Sequence, residues 1–255
     1  MLRSITLTAL KDIPLIQPGE DLCLTILNSL QKNKMTLTNG DVLVIAQKIV
    51  SKSEGRAVRL KLVNPSTRAI DLAKVVNKDP RLVELILQES KEIIRSKHDV
   101  LIVEHRLGFI MANAGIDLSN VAQDTEEDIA LLLPLNPDAT CANLVARLHD
   151  SLEVNVGVVI NDSHGRAWRN GTVGVAIGAA GFNALHDLRG KEDLFGRKLQ
   201  TTEVGYADEL ASAASLMMGQ ANEGIPIVLI RGLEILSGNS TAQALIRPRA
   251  SDLFR

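Results

Sequence analysis

The residues best suited to chemistry fall in four short polar segments, each beside an apolar run. Residues 48–56 hold Lys48, Lys52 and Arg56 after the apolar run at 41–46. Lysine is a compact cation suited to phosphate oxygens, although the same charges also describe a solvated exit loop. Residues 113–120 gather Asn113, Asp117, Ser119 and Asn120 around Gly115. Such oxygens suit magnesium or manganese, and equally suit a turn in which Asn and Asp bond their own backbone. Residues 161–171 are the densest segment. There Asp162 and Ser163 offer oxygens to a metal, Arg166 and Arg169 offer cations to phosphate or carboxylate, and Trp168 offers an apolar wall. His164 among them is either a base or a structural histidine. Residues 219–226, with Gly219 and Gly224, turn backbone N–H groups toward phosphate oxygens or simply join a helix to a strand. Cys23 and Cys141 have no histidine nearby in sequence, so no nucleophile–base pair stands out. The set suits metal-assisted handling of a phosphorylated substrate better than covalent acyl transfer.

Hydrophobic periodicity supplies the elements that must position these segments. Ile5, Leu7 and Leu10 mark a first strand, and Leu22, Ile26, Leu27 and Leu30 share one face of a helix over 20–31. Residues 41–46 are nearly all apolar, the pattern of a strand covered on both faces. Ser66 caps a second helix. Asp79 caps a third with Pro80 at its first position, and the face of that helix runs Val83, Ile86, Leu87, Ser90 and Ile94. Strands at 100–103 and 109–112 meet through Leu107 and Gly108. A surface loop covers 121–137, and Asp138 opens a helix to Leu152. Strands follow at 154–160 and 173–177, then a mobile exposed loop over 183–202. An alanine-rich helix over 203–219, built for close packing, leads to a last strand over 225–230. This alternation, with no dividing linker, predicts a mixed α/β or α+β fold. Residues 219–226 lack the GKS/T ending of a P-loop, and Gly174, Gly178 and Gly181 lack GxGxxG spacing, so Rossmann and P-loop readings fail.

Composition narrows the class. The 255 residues carry 28 Lys+Arg against 30 Asp+Glu, a formal net charge of -2, which argues against general nucleic-acid binding. One Trp, one Tyr and four Phe leave no base-stacking platform and an aliphatic core. Cys23 and Cys141 belong to no CxxC pair and read as buried thiols of a reduced compartment. There is no signal-peptide h-region and no membrane-length apolar stretch, so the expected location is the cytoplasm, away from membranes.

Ordered words along nearly the whole chain carry a resemblance. They are DIPLIQPGEDL at 12–22, VIAQKIVSKSEGR at 44–56, NAGIDLSNV at 113–121 and NDSHGRAWRNGTVGVAIG at 161–178, then DLFGRKL at 193–199, GIPIVLIRG at 224–232 and DLFR at 252–255. On these words the chain resembles the coenzyme F420-0:γ-glutamyl ligase family. The resemblance implies a GTP-dependent amide ligase that adds L-glutamate to the deazaflavin coenzyme F420-0. GTP would phosphorylate the lactyl carboxylate, the glutamate amine would attack the acyl phosphate, and further rounds would build a γ-linked tail. It also implies two divalent cations, magnesium or manganese, with potassium helpful, and an intertwined homodimer of α+β fold, a mixed sheet with packed helices. Some members carry a C-terminal flavin-binding nitroreductase-like domain. Here a single ligase domain over 1–255, with no FMN, is expected.

Residue by residue, the implied nucleotide site is Ile13, Pro14, Leu15, Ile16, Gln47, Lys48, Lys52 and Asn120, with the loop Met218, Gly219, Gln220, Ala221, Asn222, Glu223, Gly224 and Ile225. Asp117 and Asp162 would hold one metal, and Ser163 with Gln220 would reach the second. Asp162, Lys52, Arg166 and Arg169 would carry catalysis by offsetting crowded negative charge. Some members have Ser-Thr in place of Gln47-Lys48 and Thr in place of Ser163. The same residues would also serve an amide ligase with another carboxylate acceptor, or a silent nucleotide- or deazaflavin-binding protein.

Overall fold

The computed structural model describes residues 4–119, 128–234 and 238–253. In chain order the elements are β1 (Thr6–Ala9), α1 (Leu22–Lys32), β2 (Val42–Ala46), α2 (Gln47–Ser53), β3 (Ala57–Arg59), α3 (Thr67–Val76), α4 (Pro80–Gln88), β4 (Ser90–Lys97), β5 (Val100–His105) and β6 (Ile110–Ala112). They continue with β7 (Ile129–Leu131), α5 (Pro137–Leu152), β8 (Gly157–Arg166), β9 (Arg169–Ala180), β10 (His186–Asp187), β11 (Glu203–Val204), α6 (Tyr206–Met218) and β12 (Ile227–Arg231).

A strand with no polar face must be covered twice, and β2 is. Leu43 and Ile45 enter a core with Leu22 and Ile26 of α1 and Leu144 and Leu148 of α5. Val42 and Val44 enter a second core with Ala207, Leu210 and Ala214 of α6. The main sheet therefore lies between two helical layers, in the order β1-β12-β2-β8-β9. β2 and β8 run parallel while the other neighbours are antiparallel, so the sheet is mixed, as expected. The β2–β8 ladder ends at the pair Ala46–Asn161. Beyond it β8 pairs with β9 alone, and the two continue as a ribbon to Arg166 and Arg169. The alanine-rich face of α6 does pack closely: a Cβ on Gly174 of β9 would lie 2.3 Å from Ser215 Oγ and 2.4 Å from the Ala211 carbonyl oxygen.

A smaller body of the chain sits between β2 and β8. β3 pairs with β7, β4-β5-β6 form an antiparallel sheet, and α3 and α4 bury Ala69, Val76, Val83 and Ile86 against Leu101 and Val103. Ser66 and Asp79 cap α3 and α4 as their spacing predicts, accepting from the amides of Ala69 (3.2 Å) and Arg81 (2.8 Å). No helix among the described residues is long and apolar enough to cross a membrane.

Several elements differ from expectation. Residues 48–56 are not an exit loop, because Gln47–Ser53 is helical. α4 stops at Gln88, so Ile94 lies on β4 rather than on a helix face. Asn136 caps α5 through the Ala139 amide (3.1 Å), while Asp138 Oδ1 accepts from the amides of Ala179 and Ala242 (2.9 and 3.0 Å). Residues 129–131 of the expected 121–137 loop form β7, and 121–127 lie outside the described residues. The charged 183–202 segment is largely exposed but contains β10, which pairs with β11.

Candidate functional site

β2 runs directly into α2, and this junction sets Gln47, Lys48 and Lys52 at one end of the central sheet. A cavity of about 420 Å³ opens there. Four distant stretches wall it: Ile13–Ile16 ahead of α1, Ala46–Ile49 with Lys52, Asn161–Ser163 on β8, and Met218–Pro226 between α6 and β12. The sheet order explains the meeting, since β12 and β8 flank β2.

The charges on these walls are engaged. Lys48 Nζ pairs with Asp117 Oδ2 at 2.5 Å and donates to Ser119 Oγ at 3.1 Å. Asp117 Oδ1 also accepts from the Ser119 amide and hydroxyl, both at 2.7 Å. Burial pushes the Asp117 carboxyl up, but Lys48 and Ser119 outweigh it and hold the group below the ordinary carboxylate range. Burial, then the neighbouring Lys48 charge, pulls the Lys52 ammonium below the usual lysine value. Gln47 is buried and accepts from Ser51 Oγ at 2.9 Å. On β8, Asp162 Oδ2 lies 3.1 Å from His164 Nε2, and Ser163 Oγ donates to Gln220 Oε1 at 2.8 Å. In the 219–226 loop, Glu223 Oε2 accepts from the Ala221 amide at 2.8 Å. That carboxylate folds back over Gly219, where φ is +70° and an added Cβ would lie 2.1 Å from Glu223 Cδ. Cys23 and Cys141 are free and buried, and burial pushes both thiols up, so neither is a ready nucleophile.

Comparison with known proteins now bears on this geometry. The family described as F420-0:Gamma-glutamyl ligase matches residues 11–232, which include all four walls of the cavity. The chain belongs to this γ-glutamyl ligase family. It is 45% identical to the coenzyme F420:L-glutamate ligase of Methanothermobacter thermautotrophicus over 253 residues, covering 98% of this chain and 99% of that protein. The protein of the same name from Methanocaldococcus jannaschii is 42% identical over 244 residues, 96% of this chain and 94% of that one. That from Methanopyrus kandleri is 45% identical over 244 residues, 94% and 93% of the two chains.

Within this family member, the nucleotide residues expected from sequence lie on one cavity, apart from Asn120, which is outside the described residues. Asp162, Ser163 and Gln220 line that cavity too. Asp117 does not line it, and is tied to the lysine that does. Arg166 and Arg169 stand on the β8–β9 ribbon and do not line the cavity, and Arg166 donates to the carbonyls of Gly171 and Asn170 on β9 at 3.4 Å.

Among the described residues no three His, Cys, Asp or Glu side chains gather as a metal cage. The donor set is instead a carboxylate, a hydroxyl and a carboxamide. These are hard oxygens, and the 2.8 Å spacing of Ser163 Oγ and Gln220 Oε1 is close to the edge of an octahedron with ~2.1 Å bonds. The Ser163–Gln220 pair, and separately Asp162 on the other face of β8, fit magnesium or manganese with water completing each shell. Ala46 and Ile49 also line the cavity and carry no signal in the sequence, while Asn161 and Pro226 lie within the polar segments but do not stand out there as lining residues. Period-2 alternation was the usable signal: Asn161 and Ser163 point toward α6 and its following loop, and Asp162 and His164 point away.

Proposed function

We propose that this chain ligates L-glutamate to coenzyme F420-0, uses GTP as phosphoryl donor, and extends the product through further γ-linked glutamates. One observation carries the reading: in a member of this family, Lys48, Lys52, Asp162, Ser163 and the 219–226 loop wall one cavity of about 420 Å³. Ile13–Ile16 would give the nucleotide an apolar flank, and Gly219 and Gly224 would let backbone N–H groups approach its phosphates. The acceptor carboxylate attacks the γ-phosphorus and GDP leaves. The glutamate amine then attacks the acyl phosphate, loses a proton, and phosphate leaves as the amide forms.

Lys52 and Lys48 would neutralise phosphate oxygens in a partly desolvated setting, where a fixed cation is worth more than in water. Two divalent cations, with potassium assisting, supply charge neutralisation to phosphoryl transfer when bound. Asp162, Ser163 and Gln220 would hold them, with Asp117 joining on release from Lys48. Arg166 and Arg169 would act as supporting cations for the acceptor, on the ribbon that begins beside Asp162.

The working unit in this reading is a single-domain homodimer in a reducing cytoplasm. Trp168, Leu194 and Phe195, exposed by 88%, 98% and 94%, are apolar side chains that a second copy would cover. Light scattering on the purified protein should then give twice the chain mass.

Mass spectrometry of F420-0 incubated with the protein, GTP, L-glutamate and manganese tests the activity. Glutamate-sized mass steps that vanish without GTP or metal are expected. An unchanged F420-0 mass with folded, GTP-bound protein overturns the assignment of the acceptor.

A further inference from the structure

His164 is 9% exposed, and its ring stands edge-on to Phe109, with centroids 6.3 Å apart and planes at 79°. Phe109 is itself part of the main core and precedes β6, and its carbonyl accepts from the His105 amide at 2.8 Å. The segment that joins β5 to β6 therefore backs the histidine ring through Phe109. Its Nε2 faces Asp162 Oδ2 at 3.1 Å. A carboxylate oxygen accepts, which gives the donor role in this pair to Nε2.

Asp162 needs such a restraint. The strand flanking β8 on one side stops at Ala46, opposite Asn161, so β2 gives Asp162 no cross-strand neighbour. Its terminal torsion is soft, and backbone pairing with β9 does not fix it. Alternation along β8 places Asp162 and His164 on the same face, while Ser163 turns to Gln220. Of these three residues Asp162 and Ser163 line the cavity and His164 does not.

We infer that His164 is a positioning residue: its Nε2–H holds one oxygen of Asp162 so that the other is presented to a divalent cation in the cavity. This rests on the proposed role of Asp162 as a metal ligand. Partners of this kind commonly change metal affinity 10–100-fold without touching the ion.

Manganese affinity, read by the paramagnetic resonance of the free ion over the full-length protein without nucleotide, tests the inference. Four proteins are compared: wild type, Asp162→Ala, His164→Gln and His164→Leu. Glutamine carries an N–H near the position of Nε2, whereas leucine fills the space without a donor. His164→Leu should bind manganese about 10–100-fold more weakly, and His164→Gln should stay within about threefold of wild type. Melting temperatures report the fold. If the leucine variant does not fold, His164→Asn takes its place, since its amide reaches the Nδ1 position and not Asp162. Wild-type affinity in the leucine or asparagine variant, with Asp162→Ala impaired, overturns the positioning role. Equal affinity in wild type and Asp162→Ala instead removes Asp162 as a ligand, and with it the reading beneath.

Discussion

Removing the Asp162 carboxylate should cost ligation at least ~100-fold, the order seen when one charge-stabilising group is lost, or a few kcal/mol of barrier. The fold should survive, because the side chain sits on a cavity wall and not in either core. Steady-state rates beside a circular dichroism melt check both statements, and a near wild-type rate with full metal would refute the assignment. Residues of this kind were legible in the sequence because their types are informative: clustered lysines, carboxylates and amides next to apolar strands. Their partners were not. Ser163 meets Gln220 across 57 residues, and Lys48 meets Asp117 and Ser119, the latter across 71. Nothing in spacing distinguishes these pairs from others of the same charge. The His164–Asp162 bond is the exception. It spans two residues on one strand, and reading 161–166 as a strand instead of a loop reveals it.

At the scale of elements, the loop after α6 depends on Gly219. Alanine there meets both an unfavourable positive φ and the Glu223 carboxylate, so the loop must open. Gly219→Ala should weaken GTP binding about tenfold or more by titration calorimetry while lowering stability by only ~1–2 kcal/mol. A different device secures the smaller body. Glu89, at the end of α4, accepts from Arg56 Nη2 and Arg106 Nε, both at 2.9 Å, beside His105. Burial raises its carboxyl, but His105, Arg106 and Arg56 prevail and hold it at about 2, against a usual 4.5. A depressed acid stabilises the fold fully above its unfolded value, and that share fades as pH falls from about 4.5 toward about 2. Urea melts over this range should steepen in wild type relative to Glu89→Gln; equal slopes would discount the cluster. Elements with strong local signals were readable: Ser66 and Asp79 caps, and the doubly covered β2. α2 was hidden because it is seven residues long and has no side-chain cap. β4 was hidden because Ser90 and Ile94 mimic helical spacing while register shifts near Glu92 and Arg95 break strand alternation.

For the whole molecule, the cavity has no wall in the unfolded chain, so a nucleotide that fills it should raise the melting temperature. At a hundredfold excess over Kd the gain is ~2.7 kcal/mol, or about 5–10 °C for a chain of this size. Lys52→Met should erase most of that shift in a dye-based melt; an unchanged shift would place the nucleotide elsewhere. The mixture of helices and strands was legible from the alternation of elements, but the order β1-β12-β2-β8-β9 was not, because pairing between distant strands leaves no local trace. That order has a consequence for a chain made from one end. β1 and β2 emerge early from the ribosome, yet the strand that joins them, β12, comes some 180 residues later, a wait of roughly 10–40 s at ordinary elongation speeds. Until then β2 keeps one bare edge and β1 has no partner in the sheet. The nascent protein thus spends most of its synthesis with an open seam beside the future cavity, a seam that a chaperone or a premature neighbour could occupy first.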